Sequence, residues 1–114
     1  MYIFANRGLG MSAGKLAAQV AHAAVRSYEI SDKKSISKWN KGGHYMKLVM
    51  LARNNDHIRT IQKYIEDRGY KTILIIDEGL TEIEPHQPTA LGVEILDKEL
   101  EDVIATFSTF GIIS

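Results

Sequence analysis

Four polar side chains, Lys15, Gln19, His22 and Arg26, recur at intervals of four, three and four residues. At about 100° per residue that spacing sets all four in one narrow arc of a helix. A solvated side is ordinary in an amphipathic helix. Here, however, the arc carries no carboxylate, and its lysine falls in the first turn, where the helix dipole disfavours a cation. An anion or a carboxylate is therefore expected close to Lys15. A second polar segment, Asp77-Glu-Gly-Leu-Thr81-Glu-Ile-Glu-Pro85-His-Gln-Pro-Thr89, follows an apolar run, and loops at the carboxyl ends of strands are where α/β proteins carry their sites. The same residues also suit a plain turn, with Asp77 bonded to backbone amides. His44 and His86 read as surface histidines, and the four histidines of the chain show no spacing that points to a metal site.

The turn Gly8-Leu-Gly10-Met-Ser-Ala-Gly14-Lys15 precedes a helix, the usual place for a phosphate-binding loop. A P-loop would need glycine at position 9 and a hydroxyl at position 16; both are leucine. A dinucleotide fingerprint fares no better, since the glycines are misspaced by one and the second apolar run ends at Arg53 rather than at an acid that could grip a ribose.

These residues need elements to hold them. Met1 to Ala5 reads as a buried strand, and Ser12 is a good cap for an alanine-rich helix over Ala13 to about Glu29, slim enough to lie close on a sheet. A basic excursion from Ile30 to Gly43 contains a short helix with Ile36 and Trp39. Then come a strand over Tyr45–Ala52, an amphipathic helix over Asp56–Arg68 stopped by Gly69, and a strand over Lys71–Asp77. A fourth strand over Thr89–Ile95 and a closing helix over Lys98–Thr106 complete the pattern, with helices on both faces of the sheet.

A chain of 114 residues, 45% hydrophobic, fits one domain with a core of its own. The absence of cysteine excludes disulfides and thiol chemistry and favours a reducing cytoplasm. No leader and no apolar run near the ~18 residues of a membrane helix is present, so no membrane partner is expected. The net charge of zero hides a split: residues 1–53 hold nine of the 14 Lys and Arg and two of the 14 Asp and Glu, a surplus of +7 that the remainder balances. One basic face is possible.

The block Met11-Ser-Ala-Gly-Lys15-Leu-Ala-Ala-Gln19-Val-Ala-His22-Ala23, followed by Trp39, Gly43 and Lys47 and then by Asp77-Glu-Gly79-Leu-Thr81-Glu-Ile83 and Thr89, resembles the archaeal and eukaryotic type of peptidyl-tRNA hydrolase. The likeness runs from about Tyr2 to Val93 with order and spacing kept. It implies a three-layer α/β/α fold with a four-stranded mixed sheet in a single domain over residues 1–114. It also implies a cofactor-free, metal-free cytoplasmic esterase, often a homodimer, that frees tRNA from a stalled peptide. The family's catalytic roles fall on Lys15, Asp77, Thr81 and Thr89, with Gln19 and His22 beside them. Phosphates of the tRNA would meet Arg7, Arg26, Lys33, Lys34, Lys38, Lys41 and Lys47 of the basic half. The chain departs from the family pattern at Asn6-Arg-Gly-Leu9, where Arg-x-Asp-Leu is usual, at Glu78-Gly79 in place of Ala-Gly, and at Glu94-Ile95 in place of Gly-Pro. A catalytically weakened RNA- or protein-binding module on the same fold is the alternative expectation, and a nucleotide-binding protein using the glycine turn is a third.

Overall fold

A computed structural model describes residues 1–78 and 86–96. Four strands, β1 (Tyr2–Asn6), β2 (Leu48–Ala52), β3 (Thr72–Asp77) and β4 (Gln87–Val93), form one mixed sheet in the order β2-β1-β4-β3. β1 pairs with β2 in parallel and with β4 antiparallel, and β4 pairs antiparallel with β3. The carboxyl ends of β1, β2 and β3 and the start of β4 consequently share one edge of the sheet.

Three α-helices, α1 (Ala13–Ile30), α2 (Lys33–Lys41) and α3 (Asn55–Asp67), and a single 3-10 turn over Arg7–Leu9 complete the described elements. Alternation along the strands divides the core between two faces. Phe4, Met50, Leu91 and Val93 pack with Ile58, Ile61 and Ile65 of α3, whereas Ile3, Ile75 and Ala90 pack with Ala23 of α1. α1 and α3 thus cover opposite faces, the expected three-layer arrangement. The expected closing helix over Lys98–Thr106 lies outside the described residues.

The slim face of α1 is used as its alanines suggest. A Cβ on Gly92 would stand 2.1 Å from Ser27 Oγ and 2.9 Å from the Ala23 carbonyl oxygen, so helix and strand approach within a distance that only glycine allows. Each helix begins on a polar cap: the Ser12 hydroxyl accepts from Lys15 N (3.2 Å), Asp32 Oδ1 from Ser35 N (3.0 Å) and Asn54 Oδ1 from His57 N (2.8 Å).

Three boundaries differ from expectation by two residues or more, one of them the start of β4, at Gln87 rather than Thr89. β2 starts at Leu48 rather than Tyr45, because His44 and Tyr45 adopt left-handed backbone angles (φ 52° and 59°) and turn the chain before it can pair. β4 ends at Val93 rather than Ile95. Beyond it Glu94 N donates to the Lys71 carbonyl, Glu94 Oε2 accepts from Lys71 N, and Ile95 N donates to Ser31 Oγ (2.7 Å). The Glu94-Ile95 pair therefore ties the end of β4 to the entry of β3 and to the last turn of α1.

Candidate active site

Ser12 starts α1 at the sheet edge where β3 ends. Lys15, one turn into the helix, meets Asp77, the last residue of β3, in an ion pair between Nζ and Oδ2. The side chains are 12% and 3% exposed. A cation in a first helical turn and a carboxylate out of water would each be unfavourable alone; together they compensate. This is the anionic neighbour that the carboxylate-free arc required. The Asp77 carbonyl accepts from His86 N, which closes the chain back onto the end of β3.

Thr89 reaches the same place through an irregularity. The register passes from Ile75 opposite Ala90 to Ile76 opposite Pro88, so Thr89 is an extra residue in β4 with no opposite number. Such a bulge re-aims a side chain and bends its strand. Pro88, which has no N–H to give a ladder, suits the irregularity. Thr89 is fully buried on the α1 face, with its hydroxyl 2.6 Å from Gln19 Oε1, to which it donates, and 3.3 Å from the Ile75 carbonyl oxygen.

A cleft of about 260 Å³ opens over this group, lined by Lys15, Gln19, His22, Ile75, Ile76, Asp77 and Glu78. Three of the four arc residues therefore face it. Arg26 does not line it: its guanidinium turns to Glu29, three residues on (3.3 Å). Lys33, Lys34, Lys38 and Lys41 are exposed on α2, Arg7 is exposed in a short 3-10 turn over Arg7–Leu9, and Lys47 lies over the Trp39 ring, 5.1 Å from its centroid; none of them lines the cleft. Thr81 lies outside the described residues. Among the described residues no three His, Asp or Glu side chains gather as a metal-binding group would.

One part of the site edge was not foreseen. Asn6, fully buried at the end of β1, donates from Nδ2 to Asn55 Oδ1 and to the Pro88 carbonyl oxygen (both 2.8 Å), and its Oδ1 accepts from Gly8 N (3.0 Å). Asn55 in turn donates to Gln87 Oε1 (2.6 Å). This amide chain fixes the β4 entry beside the bulge. A Cβ on Gly8 would fall 2.5 Å from the Arg53 carbonyl oxygen and 2.9 Å from Asn54 Cα, so the aspartate usual in the family has no room here. The two departures at Asn6 and Gly8 form one consistent replacement.

A small α/β/α sheet protein with a lysine–aspartate pair and a buried threonine at the carboxyl edge has the means to polarise a carbonyl and hold a water beside it. The sequence profile of the family described as peptidyl-tRNA hydrolase PTH2 matches residues 1–110. A Halobacterium salinarum protein named peptidyl-tRNA hydrolase is 34% identical over 109 residues, covering 95% of this chain and 96% of that protein. A Thermococcus onnurineus protein of the same name is 36% identical over 102 residues (87% and 86%), and one from Methanopyrus kandleri 35% over 88 residues (75% and 74%). The chain belongs to the PTH2 peptidyl-tRNA hydrolase family.

Proposed function

We propose that this protein hydrolyses the ester joining a peptide, or an N-blocked amino acid, to the terminal ribose of tRNA. The observation that carries this reading is the buried Lys15–Asp77 pair on the wall of an open cleft, found in a chain of this family. The ester is already activated, so a positioned water and stabilised charge can cleave it. Asp77 orients the water and takes its proton as oxygen attacks the carbonyl carbon. Lys15 keeps Asp77 ionised and faces the developing oxyanion. Collapse expels the ribose oxygen, which recovers a proton and leaves free tRNA and a peptide acid. Thr89 holds Gln19 at the rim of the cleft, and Thr81, assigned by family likeness, shares the placement of water or ester. His22, on the cleft wall, is assigned to the substrate end.

The tRNA body is held through its phosphates by Arg26, Lys33, Lys34, Lys38, Lys41 and Lys47. Six such contacts give a slope of roughly −4 to −5 in log affinity against log salt. The same reading places the protein in translation, in the cytoplasm, and pairs two copies as a homodimer, which sedimentation tests directly. The deciding assay incubates the protein with N-acetyl-aminoacyl-tRNA and measures released tRNA. Turnover supports the reading; binding without turnover supports the non-catalytic alternative instead.

A further inference from the structure

At the far end of α1 from the cleft, three aromatic rings meet. Trp39 of α2 has Tyr28 of α1 at 6.4 Å between centroids (60° between planes) and Tyr45 at 5.6 Å (81°). Trp39 Nε1 donates to the Met46 carbonyl oxygen (2.7 Å), which fixes the indole. The flanking rings stay in solvent: Tyr45 is 58% exposed and Tyr28 46%. Tyr45 is held there in a left-handed backbone with His44 beside it in another, a conformation disfavoured for large side chains and found where function holds a strained backbone in place.

The surroundings are cationic. Residues 28–47 contain five lysines against two acids, Glu29, which pairs with Arg26, and Asp32, which caps α2. On α2, Lys33, Lys34, Lys38 and Lys41 span an arc of roughly 140° at about 100° per residue, with Trp39 beyond the Lys38 edge. Lys47 lies over the indole itself and donates to the Tyr45 carbonyl (3.1 Å). Exposed aromatic rings bordered by a surplus of lysines fit unpaired nucleotides, whose bases stack while their phosphates pair.

We infer that Tyr28, Trp39 and Tyr45 form a stacking platform for an unpaired base of the tRNA strand that leads to the ester, an inference that rests on the hydrolase reading above. Along α1 the platform and Lys15 are about 20 Å apart at ~1.5 Å per residue, and the helix turns Tyr28 about 140° round its axis from Lys15, so the strand crosses the outer side of α1 between the ester and the platform.

The test uses Trp39, the chain's one tryptophan, as the reporter and deacylated tRNA as the probe, with heparin as a polyanion that has no bases. We expect tRNA to quench Trp39 emission and heparin to leave most of it. Tyr45→Gly removes the ring while relieving the backbone, so it should hold its melting temperature within a few degrees and weaken tRNA binding about tenfold. Tyr45→Phe should bind as the parent does. Tyr28→Ala, on a separate element, should show a similar loss and carries the test should the glycine variant fail to fold. Parent-like tRNA affinity in folded Tyr45→Gly or Tyr28→Ala, or equal quenching by heparin, overturns the platform. Binding of deacylated tRNA needs no ester cleavage. Lost turnover with intact quenching therefore sinks the hydrolase reading, and intact turnover without quenching sinks the platform alone.

Discussion

Removing the charge of Lys15 separates the stability of the site from its chemistry. In Lys15→Met the alkyl stem stays and the ammonium goes, leaving the Asp77 carboxylate, 3% exposed, without its counter-ion. Breaking a buried pair from one side costs about 3–5 kcal/mol, because the survivor is an uncompensated charge. At ~4 °C per kcal/mol that is a fall of roughly 12–20 °C in Tm. Asp77→Asn should also destabilise, since it strands the ammonium, which at 12% exposure retains some access to water. The double variant removes both charges, and neutral replacement of a buried pair is commonly harmless or stabilising; it should regain most of the loss. Activity should behave differently. Each single variant should lose about 10²–10³ in turnover, and the double variant should stay at that floor, because groups acting as a unit fail as a unit. Urea denaturation and release of tRNA from N-acetyl-aminoacyl-tRNA measure the two quantities on the same samples. Additive stability losses, or turnover regained along with stability in the double variant, would refute the assignment of the pair to both roles.

Thr89→Val should lower kcat/KM about fivefold and Tm by about 4 °C, since it deletes the buried hydroxyl's hydrogen bond of ~1 kcal/mol to Gln19; steady-state kinetics beside a melting curve checks it. Gly92→Ala should cost about 1–3 kcal/mol or more by urea unfolding, because its methyl would overlap Ser27 Oγ and crowd the Ala23 carbonyl. Burial, with the Arg53 charge adding to it, pushes the His57 imidazole below its ordinary value, and its Nδ1 accepts from Arg53 N (3.0 Å). The folded state thus binds the proton less tightly than the unfolded one. Its contribution is full above the ordinary value of about 6.5 and is lost as pH falls from there through the lowered value. Urea midpoints from pH 7.5 to 5 should fall for the parent and fall less for His57→Gln.

The helical arc was legible because 4-3-4 spacing fixes directions without any knowledge of neighbours, and because a lysine in a first turn asks for an acid. The residues alone asked for an acid near Lys15; that the acid is Asp77 came from the family resemblance. Arg26 shared the arc but not the cleft; its signal was Glu29, three residues on, close enough to take the guanidinium. Thr89 could be placed on a strand, yet its side cannot be read from sequence, since one unpaired residue decides which face a side chain meets. The amides of Asn6, Asn55 and Gln87 look like ordinary turn residues in a row of letters. Only the sheet order brings three segments, each about 30 to 50 residues from the next, to one corner. The left-handed backbone of Tyr45 likewise sits in what reads as an apolar strand.

The sheet order also sets when the cleft can exist. β4, the last of the described strands, lies between β1 and β3, and β3 hydrogen-bonds within the described sheet to β4 alone. A nascent chain ending before residue 87 lacks the central strand that docks the Asp77 arm beside α1, however long it waits. Non-local pairing of this kind is slow and leaves edges bare until it closes. Synthesis from the amino end therefore delivers the lysine early and the acid midway, and withholds their meeting until the final ribbon slides in, so that competence for cleavage arrives only with a finished fold.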